Sequence, residues 1–570
     1  MIEDVNAVAA DYWEFQLRAS PSTAHMLGDY RRAAEFEDVS RAAEDARIAE
    51  ARSFAARAAA IPMEGRGTQE RITRDVLVFD ATVTADVEEA RLQEIEVDPV
   101  HGPQATLPLR ISKLSVPSAE VAEAMVEKFR GIARMFVELG ERHREGIARG
   151  RTPVDFAVRR SIDQIDAWLA HPADDDPLLA AVQLAGTEPA DGWHERMRDV
   201  VAREVRPALA GYRDVLRDEV LARARPDDRC GLTWLPDGDE AYARTIRLHT
   251  TLGLDPREIH EIGLQQVERL AGEYRELGSA VLGTDDLERI LDGMRSDPAL
   301  HHTDGSAIVE AARVALSKAT TAMGDWFGTL PRSGCEVEGT TSGAQAFYFP
   351  PAQDGSRGGV FFMNTADPSG WGRFDIESTA YHEGIPGHHL QIAIASELEG
   401  LPAFRRHGWV TAYGEGWGLY AERLADEMGL YTTPMDRLGM LSGDSMRACR
   451  LVVDTGMHAL GWSRERAVAY MVEHSPMRES HVRAEIDRYI NDPGQALAYM
   501  IGRLEIQRIR ARAQRALGDR FDIRAFHDAL LTSGGMPLPL LDEHVGAWIA
   551  SQAGGAQDGA ANRRMPTGTA

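Results

Sequence analysis

The segment STAYHEGIPGHHLQIAIASELEG, residues 378–400, decides how the chain is interpreted. It places His382 beside Glu383 and delays the next histidines behind Pro386 and Gly387. Proline lacks an amide hydrogen, and its ring clashes with the carbonyl four residues earlier, here that of His382, so a straight helix is not expected. Glycine adds conformational freedom at the same point. The segment therefore predicts a kinked or bulged helix that carries several possible metal ligands.

Catalytic zinc typically has three protein ligands and one water, and a nearby carboxylate acts as general base on that water. The chain offers His382, Glu383, His388 and His389, and the stretch AYGEGWGLYAERLADEMG adds Glu415 and Glu422. At about 100° per residue, His389 would nearly coincide with His382 on a straight helix and His388 would lie about 120° away, whereas a kink could return His388 to the metal. Spacing alone leaves both histidines open as second ligand, and Glu415 would complete the set.

The rest of the 570-residue chain is predicted to be mainly α. Ala, Leu, Glu and Arg recur at helical spacing up to about residue 330, for example over 118–150 and over 255–278. After Pro331, aromatic and β-branched runs between turn residues predict two short strands, at 345–349 and 359–364. A small sheet next to the metal-binding helix could hold an extended peptide by backbone pairing.

These patterns predict an N-terminal helical scaffold over residues 1–330 and a catalytic lobe over 331–550. An enzyme with a deep cleft could instead draw 1–550 into one continuous domain. Residues 551–570 are small, polar and without periodicity, which predicts a disordered tail.

The composition excludes some classes of binding partner and indicates the cellular compartment. The formal charge of −26 argues against nucleic acid or anionic lipid as a partner, because both require a cationic surface. No window approaches the ~20 apolar residues of a membrane-spanning helix, and the N-terminus lacks the features of a secretory signal. Cys230, Cys335 and Cys449 are too few and too far apart for a disulfide framework. We expect a cytoplasmic protein, and the sequence does not indicate its oligomeric state.

Several long motifs identify a family resemblance. HEGIPGHHLQ, EGWGLYAE, RACRLVVDTGMHALGWS and DPGQALAYMIGRLEI occur in this order, flanked by YWEFQLRASPSTAHMLGDY and FHDALLTSGGMPLPLLDEHV near the two ends. With them the chain resembles the bacterial domain-of-unknown-function 885 (DUF885) proteins, which look like zinc metallopeptidases of the glutamate-zincin type. The resemblance implies a large helical, metallopeptidase-like fold with a deep cleft and one Zn²⁺ per chain.

The same resemblance assigns roles to the residues of the central motif. His382 and His388 look like zinc ligands, and His388 is favoured over His389 because related peptidases with stretched motifs keep a Gly-His pair at the second ligand. Glu415 looks like the third ligand. Glu383 looks like the general base, which takes a proton from water attacking an amide carbonyl and passes it to the leaving nitrogen.

An oxyanion formed in this reaction needs a second stabilising group. The candidates are Tyr499, His458 and Tyr489, with Tyr499 preferred because its segment is polar where a structural helix would be apolar.

Four further residues are candidates for substrate binding. Arg450 and Asp454 share a helix face, which predicts either an intrahelical pair or an arrangement in which Arg450 binds a substrate carboxylate and Asp454 orients His458. Asn364 could bind substrate backbone from the end of the second strand, and Tyr348 and Arg357 could line the entrance.

We therefore expect a zinc-dependent hydrolase that cleaves amide bonds of short peptides or peptide-like substrates. A cleft roofed by the N-terminal half would exclude folded proteins. One alternative is a metal-dependent hydrolase or lyase acting on a specialised small molecule. A second is a catalytically silent metal-binding protein, against which the retention of Glu383 argues, because a structural zinc needs no free base.

Overall fold

The computed structural model describes residues 3–184, 186–352 and 357–561. Helices dominate the part of the chain before the sheet: α1 Val5–Ala19, α2 Pro21–Met26, α3 Arg41–Ala59, α4 Thr68–Glu89, α5 Pro103–Ser112, α6 Ala119–Ala148, α7 Asp155–Ala170, α8 Pro177–Ala181, α9 Trp193–Val200, α10 Arg206–Asp214, α11 Gly238–Thr250, α12 Pro256–Val281, α13 Leu287–Ser296 and α14 Gly305–Ala322. Short 3₁₀ and π turns join several of them. The prediction of a mainly α fold is confirmed.

The part of the chain after the sheet is helical again: α15 Asp375–Glu383, α16 His388–Ser396, α17 Ala403–His407, α18 Thr411–Glu427, α19 Pro434–His458, α20 Arg464–His474, α21 Glu479–Asn491, α22 Ala498–Leu517, α23 Ile523–Leu531 and α24 Leu538–Ala561. Among the described residues, no helix has both the length and the apolar character that a membrane span requires.

The two longest predicted helices of the first half form close to their predicted limits. α6 has apolar residues at helical spacing that are buried, such as Val121, Met125 and Phe129, and the Ser118 hydroxyl accepts a hydrogen bond from the first turn. α12 begins at Pro256, after an Asp255 side chain that accepts from the amide of Arg257 at 2.8 Å.

Three strands form one small sheet in the order β1-β3-β2: β1 Cys335–Thr340, β2 Ala346–Phe349 and β3 Gly359–Asn364. β2 and β3 lie at the positions of the two predicted strands and pair antiparallel, and β1 pairs with β3 in parallel. The sequence did not predict β1, because its CEVEGT pattern buries only Val337. The buried face of the sheet joins a core shared with α14 and α15.

The largest apolar core includes residues from Val5 to Val545, and a second shared core extends from Ala90 to Ile501. Among the apolar clusters of the described residues, only the one from Ala33 to Val220 lies wholly in the first half. A boundary near residue 330 therefore does not separate two cores, and the single-domain alternative describes the packing better. The deep cleft stays a prediction.

Helix α24 extends into the segment for which the sequence predicts a disordered tail. α24 continues to Ala561, and the disordered tail stays a prediction. Residues 562–570 lie outside the described residues.

Candidate metal centre

Three side chains from separate helices converge in one cluster. His382 lies at the end of α15, His388 begins α16 and Glu415 lies on the first turns of α18. Their ligand atoms lie within 4.8 Å of one another, and the Glu415 Oε2 atom is 3.7 Å from His382 Nε2 and 3.3 Å from His388 Nε2. Donor atoms about 2 Å from a tetrahedral ion are separated by about 3.3 Å, so the spacing suits one zinc ion.

The break in the helix is what brings the two histidines together. α15 ends at Glu383 and α16 starts at His388, so their rings, 4.7 Å apart between centroids, belong to different helices. The turn contains a cis Ile385-Pro386 bond, and a Cβ at Gly387 would lie 1.9 Å from the His382 carbonyl oxygen. Only glycine fits there.

Helix α18 supports the cluster along one face. Glu415, Gly418 and Glu422 recur at spacings of three and four, which aligns them on one side of a helix. A Cβ at Gly418 would lie 2.8 Å from His382 Cε1 and 3.0 Å from His388 Cε1, so both rings rest directly on this glycine. The turn is fixed to the same helix, because the Trp417 indole donates to the Pro386 carbonyl at 2.9 Å.

Glu422 orients His382 from behind. Its Oε1 atom lies 2.8 Å from His382 Nδ1, and because a carboxylate only accepts, Nδ1 carries a proton and Nε2 is the nitrogen that faces the cluster. Burial and Arg447 lower the pKa of His382, but hydrogen bonds with Glu415 and Glu422 raise it further, to about 9. Burial raises the pKa of Glu415 and the two histidines lower it by more. The centre favours a cation.

Loss of the Glu422 carboxylate should weaken metal binding without removing a ligand. We expect Glu422→Ala to lower zinc affinity about 10- to 100-fold, because His382 loses the acceptor that fixes its ring and tautomer. Glu422→Gln keeps an acceptor oxygen and should recover most of the affinity. Competition with a fluorescent zinc chelator measures both.

Glu427→Ala is the matched control, since Glu427 lies on the same helix but pairs with Arg510 at the surface. Equal zinc affinity in Glu422→Ala and wild type would contradict the orienting role of Glu422.

The structure distinguishes the two histidines that spacing left open. His389 is fully buried beside the sheet, where its Nε2 atom lies 3.0 Å from the Ser333 carbonyl and its Nδ1 atom lies 2.9 Å from the Tyr348 hydroxyl. Burial lowers its pKa to about 4, so the ring is neutral, donates through Nε2 and accepts through Nδ1. Both nitrogens are engaged, and His388 is the histidine at the cluster.

Of the predicted catalytic residues, Tyr499 contacts the metal cluster, and Glu383 directly follows the candidate ligand His382 in the chain. Glu383 is half-buried. Burial raises the pKa of the Cys335 thiol, and the charge of Glu383 raises it further. The Tyr499 ring stacks on the His382 ring with centroids 6.2 Å apart. Burial and the Glu415 charge raise the pKa of Tyr499, so its hydroxyl keeps a proton to donate.

His458, the third predicted catalytic residue, has both ring nitrogens bonded to backbone groups. Its Nε2 atom bonds the Tyr489 carbonyl at 2.9 Å, and its Nδ1 atom accepts from the Leu232 amide at 3.2 Å. The ring is fully buried, which lowers its pKa to about 4. With both nitrogens bonded to backbone, His458 fixes the packing of α19, and the structure does not support a catalytic assignment.

The structure contains neither the Arg450–Asp454 pair nor the Asp454–His458 contact that the spacing predicts, and a substrate carboxylate as partner of Arg450 stays a prediction. Arg450 donates to the Tyr489 hydroxyl at 2.6 Å and to Glu485 at 2.7 Å, while its guanidinium lies 4.5 Å from the centre of the Tyr499 ring. Asp454 accepts from the Tyr242 hydroxyl and the Gly494 amide instead. The intrahelical pair and the Asp454–His458 contact are therefore corrected. Arg450 borders the site as a support for Tyr499.

The residues predicted near the entrance make local contacts. Asn364 donates to the Gly343 carbonyl at 3.0 Å and accepts from the Ala366 amide, which closes the strand end. Arg357 donates to the carbonyls of Pro350 and Gly358. The Tyr348 hydroxyl donates a hydrogen bond to His389 Nδ1. None of these partners is a residue of the metal cluster, and a role of Asn364, Arg357 and Tyr348 in substrate binding stays a prediction.

Two neighbours of the cluster escaped prediction. The Arg447 guanidinium lies 3.4 Å from both His382 Nδ1 and Glu422 Oε1. Its position on α19 gives no indication in the sequence that it reaches the cluster. Trp409 packs against His388 with ring centroids 5.7 Å apart, from a connector whose sequence shows no periodicity. The role of Glu422 could have been inferred from its seven-residue spacing to Glu415.

The chain is similar to a family of bacterial proteins and to solved structures. A family model described as a bacterial protein of unknown function, DUF885, matches residues 21–545. The chain belongs to the DUF885 family. No curated protein matches this DUF885 chain.

Two solved structures share the fold. The crystal structure of a candidate lipoprotein from Colwellia psychrerythraea has 26% sequence identity and a TM-score of 0.89, over 97% of this chain and 100% of that one. A candidate lipoprotein of unknown function from Shewanella oneidensis has 16% identity and a TM-score of 0.75, over 95% and 99%. The lipoprotein description belongs to those proteins, and the cytoplasmic location of this DUF885 chain stays a prediction.

Proposed function

We propose that this DUF885 chain is a zinc-dependent hydrolase that cleaves amide bonds of short peptides or peptide-like substrates. The observation that carries the proposal is the cluster of His382, His388 and Glu415, with Glu383 directly after His382 in the chain. Two imidazole nitrogens and one carboxylate oxygen form a donor set that suits zinc, and three protein ligands leave a fourth position for water or substrate. A bound zinc ion would polarise a carbonyl and lower the pKa of water.

The residues around the cluster would transfer the proton, stabilise the oxyanion and position the ligands. Glu383 accepts a proton from the attacking water and delivers it to the leaving nitrogen. Tyr499, held on the His382 ring and protonated, donates a hydrogen bond to the oxygen that becomes negative. Glu422 holds His382, and Arg447 neutralises Glu422. Arg450 supports the other side of the Tyr499 ring.

A catalytically silent zinc protein is less consistent with this arrangement. Structural zinc sites close all four positions with protein ligands, usually with cysteine among them. Among the described residues only three candidate ligands converge, and the three cysteines lie outside the cluster.

Peptide-library profiling by mass spectrometry tests the function directly. Zinc-loaded protein should cleave a subset of short synthetic peptides, and removal of zinc by a chelator should abolish the cleavage until zinc is restored. Absence of cleavage by protein that holds stoichiometric zinc would contradict amide hydrolysis. Cleavage that survives complete removal of the metal would contradict the zinc-dependent mechanism.

A further inference from the structure

An exposed tryptophan stands directly beside the metal cluster. Trp409 lies in the connector between α17 and α18, and 45% of its surface is exposed to solvent. Its ring meets the His388 ring at 67°, with centroids 5.7 Å apart. A large apolar surface is thus presented within one side-chain length of a candidate ligand.

The indole packs closely against the backbone of α18. A Cβ at Gly414 would lie 2.2 Å from the Trp409 ring, so the ring rests on bare backbone one residue before Glu415. The connector is also constrained, because a Cβ at Gly408 would lie 2.2 Å from the Phe404 carbonyl oxygen. An exposed aromatic ring that is packed against backbone on one face has less conformational entropy to lose when it binds a partner.

Exposure alone would not distinguish this residue, since single exposed apolar side chains are common. Trp234 is equally exposed, at 46%, but the Arg229 guanidinium covers it at 5.3 Å from the ring centroid. Within the described residues, no arginine or lysine covers Trp409 in this way. Trp409 combines an uncovered face with a place at the reaction centre.

The two flanks of the cluster also differ in chemistry. The His382 side carries the Tyr499 hydroxyl with Arg447 and Arg450 behind it, whereas the His388 side carries the indole. A substrate whose scissile carbonyl lies at the cluster therefore meets polar groups on one flank and an aromatic surface on the other. Adjacent residues of a peptide are 3.8 Å apart, so a side chain next to the scissile bond reaches the indole.

We propose that Trp409 forms the subsite for a large apolar side chain, aromatic in the best case, on the substrate residue next to the cleaved amide. The inference deepens the proposed function and rests on it. Stacking on the indole removes apolar surface of both partners from water, which selects aromatic and bulky aliphatic residues over glycine and alanine.

Hydroxamates separate this inference from catalysis, because they bind a zinc ion whether or not the protein cleaves peptides. Calorimetry would measure binding of L-phenylalanine hydroxamate and glycine hydroxamate to zinc-loaded protein. We expect wild type to bind the phenylalanine compound at least about tenfold more tightly, in line with burial of an aromatic side chain. Trp409→Ala should lose this preference while it binds glycine hydroxamate and zinc as wild type does.

Trp409→Phe should keep most of the preference, and Trp234→Ala is the matched control, expected to keep all of it. An unchanged ratio in Trp409→Ala, or equal binding of both hydroxamates by wild type, would overturn the subsite and leave the zinc hydrolase proposal standing. Failure of both hydroxamates to bind zinc-loaded wild type would overturn both proposals.

Discussion

Glu383→Gln should bind one zinc ion per chain and lose at least about a hundredfold in kcat. The glutamine keeps the size of the side chain but cannot accept a proton, and general base catalysis contributes about 10² to 10⁴ in rate. Zinc should stay bound because Glu383 is not among the three converging ligands. Steady-state kinetics on a cleaved peptide, with metal analysis of the same preparation, measures both effects.

Glu377→Gln provides the control on the same helix. Glu377 lies six residues before Glu383 and accepts hydrogen bonds from the backbone amide and the hydroxyl of Thr432, so its loss should leave kcat near the wild-type value. A near-normal kcat in Glu383→Gln would remove Glu383 from the mechanism, and loss of zinc would show that it acts as a ligand.

His388→Ala and His389→Ala should have opposite effects although the residues are adjacent. His388→Ala removes one of three ligands, and we expect zinc affinity to fall by more than the 10- to 100-fold that outer contacts alone contribute. His389→Ala should keep zinc but lower the free energy of unfolding, because it leaves the Ser333 carbonyl and the Tyr348 hydroxyl without their partner. Zinc titration and thermal unfolding of the two variants give the comparison.

Zinc binding as in wild type by His388→Ala, together with loss of zinc in His389→Ala, would show that the second ligand has been assigned to the wrong histidine.

The sequence predicted much of the fold because the relevant signals are local. Apolar spacing and cap residues define α6 and α12, and β2 and β3 follow from aromatic runs between turns. β1 carries no such signal, since it is a glutamate-rich strand with one buried side chain. Whether residue 330 separates two domains depends on contacts between distant segments, which local patterns do not contain.

The same distinction explains which site residues could be predicted. A break in the helix brings His382 and His388 together with Glu415, and Pro386 and Gly387 predict this break from the sequence. The outcome at His458 and Asp454 depends instead on groups far along the chain, the Leu232 amide and the Tyr242 hydroxyl, which occupy their polar atoms. Residues that share a helix face need not share partners.

Zinc titration of wild type and of the double variant His382→Ala/Glu415→Ala tests the central claim most directly. The account predicts one zinc ion per wild-type chain and no stoichiometric binding by the double variant, which keeps only one of the three ligands. Wild-type protein without a stoichiometric zinc site, or a double variant with unchanged affinity, would contradict it.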